Sequence, residues 1–117
     1  MPFQRLLDQL AGEVKGLQGA LLLDAEGEVA IESGVRDERH RLIGAYQGIA
    51  LATAKRTNQR YEAGPIRYII CRYDSAQVVL RPLKDGYYLI ISLAPGARLA
   101  PCLYHSEVVG ERFNEEI

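Results

Sequence analysis

Leu83-Lys-Asp-Gly-Tyr-Tyr-Leu-Ile-Ile-Ser-Leu93 reads as a tight turn followed by a strand with no polar face. Asp85-Gly86 is the turn signal, because a short hairpin turn needs left-handed backbone that Asp and Gly tolerate. After it, Tyr87, Leu89, Ile91 and Leu93 alternate with Tyr88 and Ile90. Successive side chains of a strand point to opposite faces, so Tyr87–Leu93 should be covered on both sides and stand inside a sheet. Gly19–Asp24 (Gly-Ala-Leu-Leu-Leu-Asp) has the same character and should stand beside it.

Working outward, Val29–Ser33 alternates Val29, Ile31 and Ser33 against Ala30 and Glu32, and Ala25-Glu26-Gly27-Glu28 joins it to Gly19–Asp24 as a hairpin. Ile66–Tyr73 and Gln77–Leu83 are joined at Asp74-Ser75 and form a meander with Tyr87–Leu93. The least apolar strands, Val29–Ser33 and Ile66–Tyr73, belong at the two edges. Phe3, Leu6, Leu7, Leu10 and Val14 recur at helical spacing, as do Leu99, Cys102, Leu103, Ser106, Val109, Gly110 and Phe113. Between the second and third strands, a helix capped by Asp37 should run to about Arg60 or Tyr61, where Gly64-Pro65 stops it. At ~1.5 Å per residue that helix is roughly 33–35 Å long. The order α-β-β-α-β-β-β-α predicts a single domain over residues 1–117. It is an α/β three-layer sandwich on a five-stranded antiparallel sheet, with the long helix on one face and the terminal helices on the other.

The long helix is too apolar for one sheet to hide. Within Arg41–Arg56, Leu42, Ala45, Tyr46, Ile49 and Thr53 form a stripe for the sheet, yet Ile43, Gly44, Gly48, Ala50, Leu51, Ala52 and Ala54 occupy the other faces. A helix apolar nearly all round is buried nearly all round. Gly44, Gly48 and Ala52 fall on one line. Glycine in a helix interior costs roughly 1 kcal/mol relative to Ala, so the line needs a reason. One reason is close approach of a second copy of the helix, antiparallel across a two-fold axis. The other is that the glycines clear bulky side chains of the chain's own sheet. The edge strand Ile66–Tyr73 adds a second surface, since an unpaired apolar edge invites pairing. The first reading gives a homodimer interface of Gly44, Gly48, Leu51 and Ala52 on the helix with Tyr68 and Ile70 on the strand, and one continuous ten-stranded sheet. Arg67 and Arg72 would equally suit the protected edge of a monomer.

Composition narrows the functions. Fourteen basic and fifteen acidic residues leave a net charge of -1, without a basic cluster, so nucleic acid is not the expected partner. The N-terminus meets Asp8 before any long apolar run, and Ile43–Ala54 is short of the roughly 20 residues a spanning helix needs. A cytoplasmic protein with reduced thiols is expected, without membrane insertion. Cys71 and Cys102 have no metal-ligand spacing, and no phosphate loop, HExxH or nucleophile elbow is present, so neither metal, cofactor nor catalytic residues are expected. Cys102 and His105 are three apart on the last helix, but Cys102 belongs to its apolar stripe. Nearly all core positions are apolar, which speaks against a small-ligand pocket.

The segment Gly19–Gly34, the Ala-rich long helix, the Leu83–Leu93 hairpin and the closing helix together resemble Roadblock domains, the dynein light-chain type proteins and their bacterial and archaeal relatives. The resemblance covers nearly the whole chain and rests on the order of the elements. It implies a profilin-like fold and a homodimer or heterodimer built on the long helix and third strand. It further implies a small Ras-like GTPase as partner, as for prokaryotic regulators of gliding-motility polarity. The polar positions of the long helix, Arg41, Gln47, Lys55 and Gln59, are then the partner-binding residues. The chain stops soon after the closing helix, so activities that need a C-terminal extension are not expected. The alternatives are a structural subunit of a larger complex and a small-ligand sensor.

Overall fold

A computed structural model describes residues 2–34, 47–57, 62 and 64–117. Helix α1 spans Pro2–Glu13, and strands β1 (Leu17–Leu23) and β2 (Val29–Gly34) follow. Residues 47–57 are helical and form the described part of α2. Strands β3 (Ile69–Arg72), β4 (Gln77–Pro82) and β5 (Tyr88–Leu93) and helix α3 (Leu99–Glu116) complete the chain. The sheet order is β2-β1-β5-β4-β3, with every neighbouring pair antiparallel. The expected architecture therefore holds: β2 and β3 are the edges, and β5 lies at the centre.

Alternation along the strands builds two cores. Ala20, Leu22, Val79, Leu89, Ile91 and Leu93 meet Leu7 and Leu10 of α1 and Cys102, Val109 and Phe113 of α3. Leu21, Leu23, Val78, Leu80, Tyr88 and Ile90 face the other way and meet Leu51 of α2. The Phe3 and Phe113 rings, 5.5 Å apart, tie α1 to α3.

The turns are made by the residues that suit them. Asp24 accepts the amides of Glu26 and Glu28 on Oδ1, both at 3.0 Å, and Gly27 takes φ 84°. Asp85 and Gly86 both take left-handed backbone, φ 60° and 82°, and Tyr87 N–H closes the turn on the Lys84 carbonyl. This is the turn that Asp-Gly signals.

Three expectations change. β4 is as buried as the two strands read as interior. β3 begins at Ile69, not Ile66; beyond the Ile69–Leu80 pair, continuation would set Arg67 against Pro82, which has no N–H for the ladder. The third concerns the rotation of α2. Ile49 and Thr53, expected to face the sheet, are exposed, while Gln47 and Leu51 are buried and Gly48 lies against Tyr88. The cause is the size of Tyr88, whose ring stands on this face of β5. A Cβ at Gly48 would stand 3.1 Å from Tyr88 Cζ and nearer still to its hydroxyl. Only glycine lets the helix lie down over that ring, and with Gly48 beneath, Leu51 one turn on fills the core.

Candidate functional site

The surface formed by α2 and β3 carries the features expected of an interaction site. Ile49 is 64% exposed, with Ala50, Ala52 and Thr53 beside it on the outer side of α2. Alongside runs β3, whose one described ladder partner is β4. Tyr68, 43% exposed, stands just before the strand, and Tyr73 just after it is exposed as well.

Each of these tyrosines is held from within the domain. Gln47 is 7% exposed; its Nε2 donates to Tyr73 Oη at 3.2 Å, and its Oε1 accepts from Cys71 Sγ at 3.5 Å. The α2 helix is thus fastened to the edge strand through one amide. On the opposite face, Arg81 of β4 places its guanidinium 5.5 Å from the centre of the Tyr68 ring, within cation–π range. Arg81 is 8% exposed. Its Nε donates to Ser106 Oγ at 2.9 Å, Nη2 to the Leu103 carbonyl at 3.0 Å and Nη1 to the Arg67 carbonyl at 3.3 Å. Burial works against the guanidinium charge and Glu107 offsets part of that cost. The side chain joins α3 to the segment leading into β3.

Of the expected interface residues, Ala52 and Tyr68 are exposed and Ile70 is half-buried, packing with the core on the α1 and α3 side. Gly48 and Leu51 are turned toward the chain's own sheet, which favours the second reading of the small-residue line at Gly48. Gly44 lies outside the described residues. Of the expected partner-binding residues, Lys55 is exposed, and Gln47 is spent on the edge strand; Arg41 and Gln59 lie outside the described residues. Lys55 stands at an open cleft of about 390 Å³ between α2 and the two hairpin turns, floored by Gly48, Leu51 and Tyr88. Burial, and to a smaller extent Asp24, raises the Tyr88 hydroxyl above the usual tyrosine value.

Sequence reasoning missed Ile49, Tyr73 and Arg81. Arg81 left two signals: it alternates with buried residues of β4, and Ser106 interrupts the apolar stripe of α3 where the guanidinium needs an acceptor. The core is accordingly less apolar than expected, with Gln47, Gln77, Arg81, Ser92 and Ser106 buried.

The Cys102–His105 pair does not form a reactive dyad. Cys102 is fully buried, and burial pushes its thiol up to about 11, with Arg81 opposing. A thiol in that state is a poor nucleophile. His105 instead places Nδ1 3.0 Å from a Glu13 carboxylate oxygen, tying α3 to α1. Among the described residues, no three His, Cys, Asp or Glu side chains gather to hold a metal ion, and no helix is long and apolar enough to cross a membrane.

The model of the Roadblock/LC7 domain matches residues 3–92. The chain belongs to the Roadblock/LC7 family. Solved structures show the same Roadblock fold. MglB of Myxococcus xanthus superposes with a TM-score of 0.89 at 8% identity, over 99% of this chain and 94% of that one. A Roadblock/LC7 domain from Streptomyces avermitilis gives 0.86 at 18% identity, over 96% and 94%. Profilin IA of Acanthamoeba castellanii gives 0.63 at 15% identity, over 97% and 98%, so the fold is also profilin-like. A search of curated protein sequences finds no match.

Proposed function

We propose that this Roadblock/LC7 chain is a non-enzymatic, dimeric protein-interaction module of the cytoplasm that regulates or scaffolds a small Ras-like GTPase. The observation that supports this reading is the edge of the sheet at β3, whose one described ladder partner is β4, with Tyr68 exposed beside it. Such an edge is a liability in a monomer and an interface in a dimer. A second copy, related by a two-fold axis, covers it. The interface then takes in Tyr68 and Ile70, while Gly48 and Leu51 seat α2 on the sheet.

The GTPase is implied by the family resemblance and the likeness to MglB. On this reading its contact is the cleft beside Lys55, whose floor of Gly48, Leu51 and Tyr88 and whose cation suit a partner loop. Regulation of this kind holds the GTPase's own catalytic groups in one conformation, so no side chain of this chain needs to join the chemistry.

The test is calorimetric titration of the chain with a Ras-like GTPase from the same organism, loaded with a GTP analogue or with GDP. Binding is expected to depend on the nucleotide. Lys55→Glu is expected to weaken binding about ten-fold, the size of a lost interfacial charge contact, with unchanged melting temperature and subunit mass. Equal binding to both nucleotide states favours a structural subunit instead, and failure of either state to bind overturns the GTPase assignment.

A further inference from the structure

A second open cleft, of about 490 Å³, lies between the end of α1 and the start of α3. Its walls are the turn at Lys15-Gly16 and the loop from Ala94 to Arg98, with Pro101 of α3 beside them. Strands β1 and β5 run antiparallel, so the start of β1 and the end of β5 share one end of the sheet. The cleft beside Lys55 is bordered by Gly27 and Gly86, at the other end. The β3 edge is distant as well, since β5 stands two strands in from it.

The walls are fixed from within. Gln77 is 1% exposed, and its Nε2 reaches the carbonyls of Ala94, Pro95 and Ala97 at 3.1, 3.2 and 2.9 Å. Ala94 N–H donates to the Gly16 carbonyl at 2.9 Å and so joins the two walls. Two glycines stand here for different reasons. Gly16 is left-handed, φ 87°, and a Cβ there would stand 2.7 Å from Ala97 Cβ. Gly96 has no left-handed backbone, and a Cβ there would meet nothing within 4 Å. Neither the turn nor the chain's own packing requires glycine at position 96. What the missing side chain does is leave the backbone open to close approach from outside.

The charge around the cleft has one sign. Lys15 and Arg98 line it, both exposed, and no carboxylate does. Glu13, two residues before Lys15, is engaged with His105. Arg98 also occupies the cap position of α3, makes no cap bond through its side chain, and is followed by no acid in the first turn. Acids and small polar residues are the ordinary choice there, because the amide end of a helix is positive. The remaining lining is alanine, glycine and proline. Such a cleft suits a carboxylate beside an aliphatic group. Being open, it does not enclose a small molecule as ligand pockets do, whereas a segment laid across it needs to insert only one side chain. We infer that this cleft docks an acidic segment of a further partner protein, with an aliphatic side chain against Ala94, Ala97 and Pro101 and a flanking carboxylate at Lys15 and Arg98. The site is separate from the proposed dimer edge and GTPase contact and does not depend on either. Walls already held by Gln77 lower the ordering cost of binding.

Titration of the isotope-labelled chain with the peptide acetyl-Glu-Asp-Leu-Leu-Asp-Glu-amide, followed by backbone amide chemical shifts, tests the assignment. The amides of Gly16, Gly96 and Ala97 should move, and those of Gly27 and Gly86 should stay. Exchanging the acids for Gln and Asn, or the leucines for Ser, should each weaken binding about ten-fold, the size of one lost charged or apolar contact. Gly96→Leu should fill the cleft and weaken binding by about as much or more, with unchanged melting temperature, because its side chain meets no neighbour. A variant carrying Lys15→Glu and Arg98→Glu, both at exposed positions, should lose binding and does not depend on the loop accepting a leucine. Unmoved amides at millimolar peptide overturn the site, as does equal affinity for the uncharged peptide or undiminished binding by either variant. Hexanoate that moves the same amides with the affinity of the peptide overturns the protein segment as occupant.

Discussion

Arg81→Ala is expected to destabilise the domain by about 2–4 kcal/mol, the largest single effect predicted for this chain. Truncation removes three hydrogen bonds from a guanidinium that is itself buried and leaves the Arg67 carbonyl and Ser106 Oγ without that donor, while the Leu103 carbonyl keeps the Ser106 hydroxyl. A hydrogen bond to a charged group contributes about 1.5–3 kcal/mol, and three are lost here. Urea unfolding monitored by circular dichroism measures the loss. Arg81→Lys should recover only part of it, because a single ammonium cannot reach Ser106, Leu103 and Arg67 together as the planar guanidinium does. A variant within about 0.5 kcal/mol of wild type, the range of an ordinary surface substitution, would show that the three bonds contribute nothing net.

Gly48→Leu should cost about 1–3 kcal/mol by overpacking against Tyr88. The nearest atoms to any side chain at this position are the ring carbon and hydroxyl of a tyrosine that is itself buried in β5, so the helix must lift or the ring must turn. Two opposing terms separate this from a propensity effect. Leucine is a far better helix former than glycine, by roughly 0.8–1.0 kcal/mol, so a purely local account predicts stabilisation. A fall in thermal stability in the Leu variant, relieved when Tyr88→Phe removes the hydroxyl, is the expected pattern. A rise would mean that Gly48 is open to the outside, as its alignment with Gly44 and Ala52 suggests on paper.

Gly48 also shows where the sequence can be read and where it cannot. The strand pattern fixes faces without ambiguity, because one slip in the alternation of Tyr87–Leu93 would turn every residue over. For that reason the sheet order, both edges and the division of helices between faces were all legible. The rotation of α2 was not. Ile49 and Leu51 are equally apolar, and with alanine, glycine and threonine around them the helix has no strong preference for which side goes down. The choice is made by the shape of the opposing strand: Tyr88 needs a gap, and Gly48 is the gap. Such a fact belongs to a pair of residues forty apart and has no local signature.

The same limit applies to the polar anchors. Gln47 reads as a surface residue because glutamine usually is one, yet its amide is placed between Cys71 and Tyr73. Its burial depends on an edge strand that ends in a tyrosine at the right height. Arg81 was nearer to being legible, since an arginine on a strand buried on both faces must find acceptors, and Ser106 stands out in the α3 stripe. Tyr68 and Lys55 are exposed because the edge position of β3 and the end of α2 put them there, whereas Ile70 is half-buried against the α1- and α3-side core.

The two anchors bear on function through rigidity. Gln47 holds α2 to the strand end at Tyr73, and Arg81 holds α3 to the strand start at Tyr68. The edge through which the domain is proposed to pair is thus fixed at both ends by buried polar side chains, one from α2 and one from β4 bonded to α3. Loosening either should weaken association even though neither contributes surface to it.

Sedimentation equilibrium of the wild-type chain at micromolar concentration tests the central claim most directly. A particle of twice the 13.0 kDa chain mass is expected, because the β3 edge is covered by a second copy. A single 13.0 kDa species across that range would contradict it.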